Sequence, residues 1–285
     1  MDSVPRWISP AIGARKKPVD GSDVAVGLAV GAGGPTGGPF IDAALEVLTD
    51  RTTWEPASAV RVVGTSAGAF VAARLPAPSA GVPDAVAALR SVANGCEMKA
   101  TIGTQVLRGL RLLGGRVFAL LAPPERDRAL YDVAPPPYHP GATVVTIEHT
   151  WGVRHQHNLS ENEDLAEAMV QASAAIPYKN GPIRIDGRLH ADGAVHSANN
   201  VDLLDPDECP IVVVISPMIP DSGGSFASKF HRAQLFEELR PWGVEGRAAI
   251  VIMPTEEEHK NRRDRDAFTR AGARSAERLF EVAAT

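Results

Sequence analysis

The feature that most constrains the fold is a pattern that occurs twice near the start of the chain. A short apolar run, a glycine-rich turn and a helical pattern follow one another in residues 24–49, and again in residues 60–75, where Pro76 ends the helix. Apolar runs this short are typical of strands buried on both faces of a sheet. Because each run leads through a tight turn into a helix, the sequence predicts an α/β fold with a mostly parallel sheet covered by helices.

The same patterns divide the rest of the chain. Residues 1–22 are expected to be an N-terminal extension and residues 23–285 a single domain, with its motifs between about 24 and 204. Further strands are predicted at 142–148, 211–216 and 248–253, with a hairpin around Gly187. Further helices are predicted at 82–93, 101–121, 162–174 and 264–282.

Composition excludes several classes of protein. Glycine (26) and proline (23) make up 49 of 285 residues, about 17%, below the level of about 25–30% typical of disordered chains. The net charge of −5 gives no basic footprint for nucleic acid. Cys96 and Cys209 lack zinc-site spacing, and no apolar run has signal-peptide or membrane-spanning length. A cytoplasmic protein is therefore expected, with contact to a membrane surface left open.

Ser66 lies in a G-x-S-x-G turn between a predicted strand and a predicted helix. Gly64 and Gly68 flank it at a distance of two residues, where bulky side chains would obstruct so sharp a turn. The serine then stands at a helix N-terminus, where free N–H groups stabilise negative charge. The pattern predicts a nucleophile, and a simple helix N-cap is the alternative.

A second glycine-rich turn follows the first strand, over residues 31–38. It contains no lysine, as a P-loop would require, and Thr36 stands where a dinucleotide loop has its third glycine. The backbone there is predicted to be an anion cradle, and beside a serine nucleophile such a cradle serves as an oxyanion hole. Close packing of strand and helix is the alternative use of these glycines.

A serine nucleophile needs a base. His190, His196, His231 and His259 follow Ser66 along the chain, but none lies in a context that marks it as catalytic. Asp192 ends a short predicted strand and precedes Gly193, so its carboxylate is expected to project from the strand tip. An ordinary Asp-Gly turn is the alternative.

Together these motifs resemble the patatin-like phospholipase family. The glycine loop, Gly64-Thr-Ser66-Ala-Gly68 and Asp192-Gly-Ala occur in its order, as do the segment 172–177 (Ala-Ser-Ala-Ala-Ile-Pro) and the pair Asn199-Asn200. The resemblance implies a three-layer α/β/α sandwich and cleavage of lipid acyl esters without a metal or other cofactor. It assigns Ser66 as nucleophile, Asp192 as general base, and the amides of Gly33, Gly34 and Gly37 as oxyanion hole.

Two expectations follow from the resemblance. Thr36 stands where the family usually carries arginine or lysine, so the cradle keeps its backbone and loses a positive charge. A solvated aspartate has a pKa near 3.9 and is a poor base for serine. Asp192 is therefore expected to be buried and within hydrogen-bonding distance of Ser66 Oγ.

Two other segments allow more than one interpretation. Residues 98–122 carry Lys99, Arg108, Arg111 and Arg116 among apolar residues and no acid, which suits a lid or a peripheral membrane contact, or else a helix of the core. His155 and His157 alternate near Glu148. A polar strand edge is the preferred interpretation of this group, and a metal site is the alternative.

Three hypotheses about function remain at this point. The first is a patatin-type hydrolase of lipid esters with a Ser–Asp dyad. The second is an α/β-hydrolase esterase with a Ser–Asp/Glu–His triad. The third is a catalytically silent relative that binds lipid or a protein partner.

Overall fold

The computed structural model describes residues 25–77, 83–93, 132–177 and 179–283. Eight strands form one sheet in this part of the chain. They are β1 (Val26–Val30), β2 (Arg61–Gly64), β3 (Ala142–Glu148), β4 (Arg154–Asn158), β5 (Ile183–Ile185), β6 (Arg188–Asp192), β7 (Ile211–Ile215) and β8 (Ala248–Ile252).

Seven α-helices are described with these strands. They are α1 (Gly37–Thr52), α2 (Ala67–Arg74), α3 (Pro83–Ala93), α4 (Glu163–Ser173), α5 (Phe226–Leu239), α6 (Glu256–Lys260) and α7 (Arg265–Ala283). None of the described helices is both long enough and apolar enough to cross a membrane.

The sheet is mostly parallel in its centre and antiparallel at one side. Its hydrogen-bonded order is β5-β6-β3-β2-β1-β7-β8, and β4 also pairs with β3. Strands β3, β2, β1, β7 and β8 run in the same direction, whereas β4 and β6 run antiparallel to β3. The carboxyl ends of the parallel strands therefore lie at one edge of the sheet, where α/β proteins place their binding sites.

Helices cover both faces of this sheet. Along β7, Ile211, Val213 and Ile215 belong to one apolar cluster, while Val212 and Val214 belong to another. The first cluster includes residues of α1, α2, α3, α4 and α7, and the second includes residues of α5. Because alternate side chains of a strand point to opposite faces, the two clusters are the two sides of a helix–sheet–helix sandwich.

The predicted elements agree with this structure to within a few residues, with two exceptions. Helix α5 was not predicted from the sequence, and its buried face includes the polar residues Gln234 and Glu238. The helix predicted at 101–121, and with it the basic and apolar segment 98–122, lies outside the described residues. The polar strand preferred for His155 and His157 is β4, which pairs with β3.

Candidate active site

The central strand β3 brings the ends of β2 and β6 together. Strand β2 runs parallel to the first half of β3 and places its last residue, Gly64, beside Val144. Strand β6 runs antiparallel to the second half and places its last residue, Asp192, beside Thr146. Since β2 and β6 run in opposite directions, their carboxyl ends approach each other two residues apart along β3.

The backbone hydrogen bonds show that β2 and β6 share one edge of β3. The N–H of Val62 donates to the carbonyl of Gly141, and the N–H of His149 donates to the carbonyl of Leu189. Peptide groups separated by an even number of residues face the same edge of a strand. The residues that follow β2 and those that end β6 are thus neighbours, although they lie far apart in the sequence.

Ser66 lies on a strained turn between β2 and α2. Its backbone angles are φ 55° and ψ −116°, a combination that costs a non-glycine residue about 1–3 kcal/mol. The turn is tight because α2 starts beside β1: a Cβ built on Gly68 would lie 1.9 Å from the carbonyl oxygen of Val30. Gly68 thereby lets the helix begin close to the sheet, as the G-x-S-x-G pattern predicts.

The expected contact between Ser66 and Asp192 is present. Ser66 Oγ donates to Asp192 Oδ2 at 2.9 Å, and the N–H of Ala194 donates to Asp192 Oδ1 at 2.8 Å. Both side chains are buried, each residue being 4% exposed. Burial raises the pKa of the Asp192 carboxyl to about 7, although the hydrogen bonds from Ala194 and Ser66 act in the opposite direction. The carboxyl is therefore poised to exchange a proton near neutral pH.

The backbone of Ser66 is also held by a hydrogen bond to helix α4. Its N–H donates to Ser173 Oγ at 3.0 Å, and Ser173 is the fully buried last residue of α4. The N–H of Ser66 is thus already engaged, so donors for a developing oxyanion have to come from other residues. The sequence marked Ser173 as part of a motif but gave it no role.

The glycine loop after β1 has the backbone that its sequence suggests. Gly34 adopts the left-handed region with φ +61°, and no described residue lies within 4 Å of where its Cβ would be. In the part of the chain that the structure describes, no residue accepts a hydrogen bond from the N–H of Gly33 or of Gly34. The N–H of Gly37, predicted as a third donor, instead donates to the carbonyl of Gly34 and closes the turn.

Two buried asparagines support the two turns. Asn199 accepts a hydrogen bond from Ser216 Oγ at 2.7 Å, and a Cβ on Gly31 would collide with its amide group. Asn200 Nδ2 donates to Thr65 Oγ1 at 3.1 Å, and Thr65 directly precedes Ser66 in the G-x-S-x-G turn. The pair Asn199-Asn200 therefore contacts both turns, the glycine loop and the turn that carries Ser66.

The histidines form a separate group. His190 Nδ1 and His157 Nε2 each lie 2.8 Å from Thr146 Oγ1, and burial lowers the pKa of both imidazoles to about 4. His155 Nε2 lies 3.2 Å from Glu148 Oε2. No group of His, Cys, Asp and Glu among the described residues is arranged to hold a metal ion. His190 is thus hydrogen-bonded to Thr146, whereas the hydroxyl of Ser66 is hydrogen-bonded to the carboxylate of Asp192.

One of three comparisons with known proteins identifies a family. A crystal structure of VipD from Legionella pneumophila is similar over 91% of this chain and 67% of that chain, with 13% sequence identity and a TM-score of 0.42. A comparison with curated proteins gives no match. The family model described as patatin-like phospholipase matches residues 29–205, which is more than half of the chain and supports lipid ester hydrolase activity. The chain belongs to the patatin-like phospholipase family.

Proposed function

We propose that this protein is a serine acyl hydrolase that cleaves carboxylic esters of lipids, as a phospholipase A, lysophospholipase or lipase does. Ser66 is the nucleophile and Asp192 the general base. The observation that carries the proposal is the 2.9 Å hydrogen bond between these two buried side chains. No cofactor takes part in the steps below.

Acylation begins at the serine hydroxyl. As Ser66 Oγ attacks the carbonyl carbon of the ester, its proton passes to Asp192 Oδ2, which already accepts the hydrogen bond. The carbonyl oxygen becomes an oxyanion. When the tetrahedral intermediate collapses, the bond to the alcohol breaks, and the alcohol oxygen takes the proton from Asp192. An acyl-Ser66 ester and a free alcohol result.

Deacylation repeats these steps with water. Asp192 takes a proton from the water as its oxygen attacks the acyl carbon, and a second oxyanion forms. Collapse releases the carboxylic acid, and Ser66 Oγ regains the proton from Asp192. A single carboxylate serves both half-reactions, which is effective when its pKa is near the working pH. The burial that raises the pKa of Asp192 to about 7 meets this requirement.

The oxyanion is assigned to the glycine loop. The N–H of Ser66 is engaged by Ser173, and the N–H of Gly37 closes the loop on Gly34. No described residue accepts from the N–H groups of Gly33 and Gly34. One such donor is typically worth about 3–4 kcal/mol in the transition state. The proposal therefore retains Gly33 and Gly34 as donors and gives Gly37 a structural role.

A fluorophosphonate probe tests this function, because it phosphonylates an activated serine and leaves other serines unmodified. Labelling of the purified protein is expected, and it is expected to disappear in Ser66→Ala. Ser91→Ala is the matched control, since Ser91 is exposed on α3, and this variant should label as the parent does. A folded parent protein that takes up no probe would favour the silent relative, which binds lipid or a partner and does not hydrolyse it.

Labelled protein can then be given a panel of esters that differ in acyl chain length. Hydrolysis that increases with chain length would support lipid esters over small soluble esters. The proposed location is cytoplasmic with peripheral contact to a membrane, and residues 98–122 remain a candidate for that contact from their sequence alone.

A further inference from the structure

An exposed basic turn joins α6 to α7. We call residues 262–265 the basic turn; all four are exposed. The described residues offer no carboxylate that pairs with Arg262, Arg263 or Arg265. Asp264, the acid between them, is occupied as a helix cap and accepts the N–H of Ala267 at 2.9 Å. The guanidinium group of Arg262 also donates to the carbonyl of His259 at 3.0 Å. Among the described residues, the three arginines thus have no carboxylate partner, and their exposed side chains can contact an anionic ligand.

The basic turn is held against the glycine loop by Thr36. Thr36 Oγ1 donates to the carbonyl oxygen of Arg262 at 2.8 Å, across 226 positions of sequence. The next residue of the loop, Gly37, contacts the start of α2, since a Cβ built on it would lie 3.0 Å from Ala67 Cβ. Ala67 directly follows Ser66. A short series of contacts thus leads from the basic turn to the serine.

The packing of α1 against α7 places the same two segments together. The rings of Phe40 and Phe268, each near the start of its helix, have centroids 4.9 Å apart. Towards the other ends, Arg51 of α1 and Glu277 of α7 form an ion pair at 2.8 Å. The two helices therefore run side by side in the same direction, and their N-terminal ends meet. Thr36 precedes one of these ends and the basic turn precedes the other.

The basic turn belongs to the edge of the sheet that carries Ser66. Strands β1, β2, β7 and β8 are parallel, and their carboxyl ends lead to the glycine loop, to Ser66, to Pro217 and to α6 with the basic turn. Helix α5 also follows β7, and its first residue, Phe226, is 82% exposed. An exposed aromatic side chain, together with arginines that have no carboxylate partner among the described residues, is the composition of a surface that lies on an anionic membrane.

We propose that the basic turn, anchored by Thr36, binds the phosphate groups of an anionic phospholipid surface and so brings the edge of the sheet that carries Ser66 to that surface. This inference rests on the proposed function for its biological meaning, but its test does not. The arginines of the basic turn, near the end of the chain, place positive charge beside the glycine loop. The loop itself carries the uncharged Thr36.

Co-sedimentation with vesicles tests the proposal in a Ser66→Ala background, where no lipid is hydrolysed. One set of vesicles contains phosphatidylcholine alone, and the other contains phosphatidylcholine and phosphatidylglycerol at 3:1. The variant Arg262→Gln/Arg263→Gln removes two charges of the basic turn. The matched control Arg61→Gln/Arg247→Gln removes two charges at the opposite edge, where Arg61 begins β2 and Arg247 precedes β8. Arg61 is exposed and pairs with Glu208, and Arg247 is half-buried and pairs with Asp207.

The parent should bind the anionic vesicles and not the neutral ones, and its binding should fall in 0.5 M salt. Each arginine near such a surface contributes a factor of about five to the partition coefficient, so the basic-turn variant should bind about tenfold or more weakly. The control should bind as the parent does. Thr36→Val should weaken binding without a change in charge, and Thr36→Ser should restore it.

Three results would overturn the proposal: no binding of the parent to anionic vesicles, equal binding by the basic-turn variant, or an equal loss in the control. Thermal unfolding of each variant is measured as well, so that weaker binding caused by loss of the folded structure can be recognised. Failure of the proposed function would show separately, as absence of Ser66-dependent labelling by the fluorophosphonate.

Discussion

Ser66 Oγ lies 2.9 Å from Asp192 Oδ2, and the two residues are 126 positions apart in the chain. They meet because β2 and β6 approach each other along the same edge of β3 and stop at Gly64 and Asp192. Neither side chain depends on a mobile loop tip for its position: one follows a strand directly and the other ends one. Such placement on strand ends is what a catalytic pair requires, because small displacements of reacting groups cost large factors in rate.

The pKa of Asp192 predicts a pH profile for ester hydrolysis. The carboxyl acts as a base only when deprotonated, and burial raises its pKa to about 7. We expect kcat/KM to be low at pH 5, to rise as the pH increases, and to be half-maximal near pH 7. His157 and His190 have pKa values lowered to about 4 and do not titrate in this range. A midpoint near pH 4, measured on a soluble ester, would contradict the assignment.

The same burial predicts that Asp192→Asn increases stability. The carboxyl has a pKa of about 7 in the folded protein and 3.8 as its ordinary value, so the folded state holds the proton more tightly. The free energy of unfolding therefore decreases as the pH rises from 4 to 7. At pH 8 the neutral asparagine should be more stable by up to about 4 kcal/mol, and this advantage should shrink as the pH is lowered towards 4. Denaturant unfolding of both proteins at several pH values measures it, and equal stability at pH 8 would count against a strongly buried carboxylate.

Backbone strain at Ser66 predicts a second stabilising substitution. Ser66→Gly removes the Cβ from a residue with φ 55° and ψ −116°, whereas Ser66→Ala keeps it. Relief of strain is worth about 1–3 kcal/mol, and the extra freedom of glycine in the unfolded chain offsets about 0.5–1 kcal/mol. The glycine variant should therefore unfold at a higher denaturant concentration than the alanine variant, by a net of about 1 kcal/mol. Both should be inactive, and a less stable glycine variant would show that the turn is not strained.

Ser173 should affect rate through the position of Ser66. Ser173→Ala leaves the buried N–H of Ser66 without its acceptor, a loss of about 1–3 kcal/mol in stability. We expect kcat to fall about 10- to 100-fold, with little change in KM, because the nucleophile is displaced and the substrate site is not. Ser275→Ala is the control, since Ser275 is a buried serine of α7 that accepts a hydrogen bond from Arg278. An equal fall of kcat in both variants would reduce the role of Ser173 to general stability.

Local patterns in the sequence were sufficient for much of the fold. The apolar runs that became β1 and β7 are buried strands without polar side chains, so their hydrophobic pattern alone predicts them. Strand β3 is equally buried but includes Thr143, Thr146 and Glu148. Helix α5 escaped prediction because its buried face contains Gln234 and Glu238. Gln234 Nε2 donates to the carbonyl of His196, and Glu238 Oε2 accepts from the N–H of Val201. A polar residue buried with a partner is indistinguishable in sequence from an exposed one.

The candidate site also contains residues that the sequence predicted and contacts that it did not. The glycines around Ser66 and the Gly after Asp192 form short motifs that the sequence shows directly. The space that requires them is limited by neighbouring strands, since a Cβ on Gly68 would collide with Val30 and one on Gly193 with Val145. The contacts of Ser173 with Ser66 and of Thr36 with Arg262 join residues 107 and 226 positions apart. Such contacts depend on the packing of whole helices and leave no local pattern. The hydrogen bond from the N–H of Gly37 to the carbonyl of Gly34 is local, but it depends on the turn that the loop adopts.

The central claim is that a carboxylate, and no histidine, activates Ser66. Its most direct test is kcat/KM for one lipid ester, measured at pH 8 in the parent, in Asp192→Asn and in His190→Gln. We expect kcat/KM to fall about 1,000-fold or more in Asp192→Asn, as much as in Ser66→Ala. In His190→Gln it should stay within about threefold of the parent. The opposite pattern, with Asp192→Asn active and His190→Gln inactive, would contradict the dyad and establish a histidine as the base.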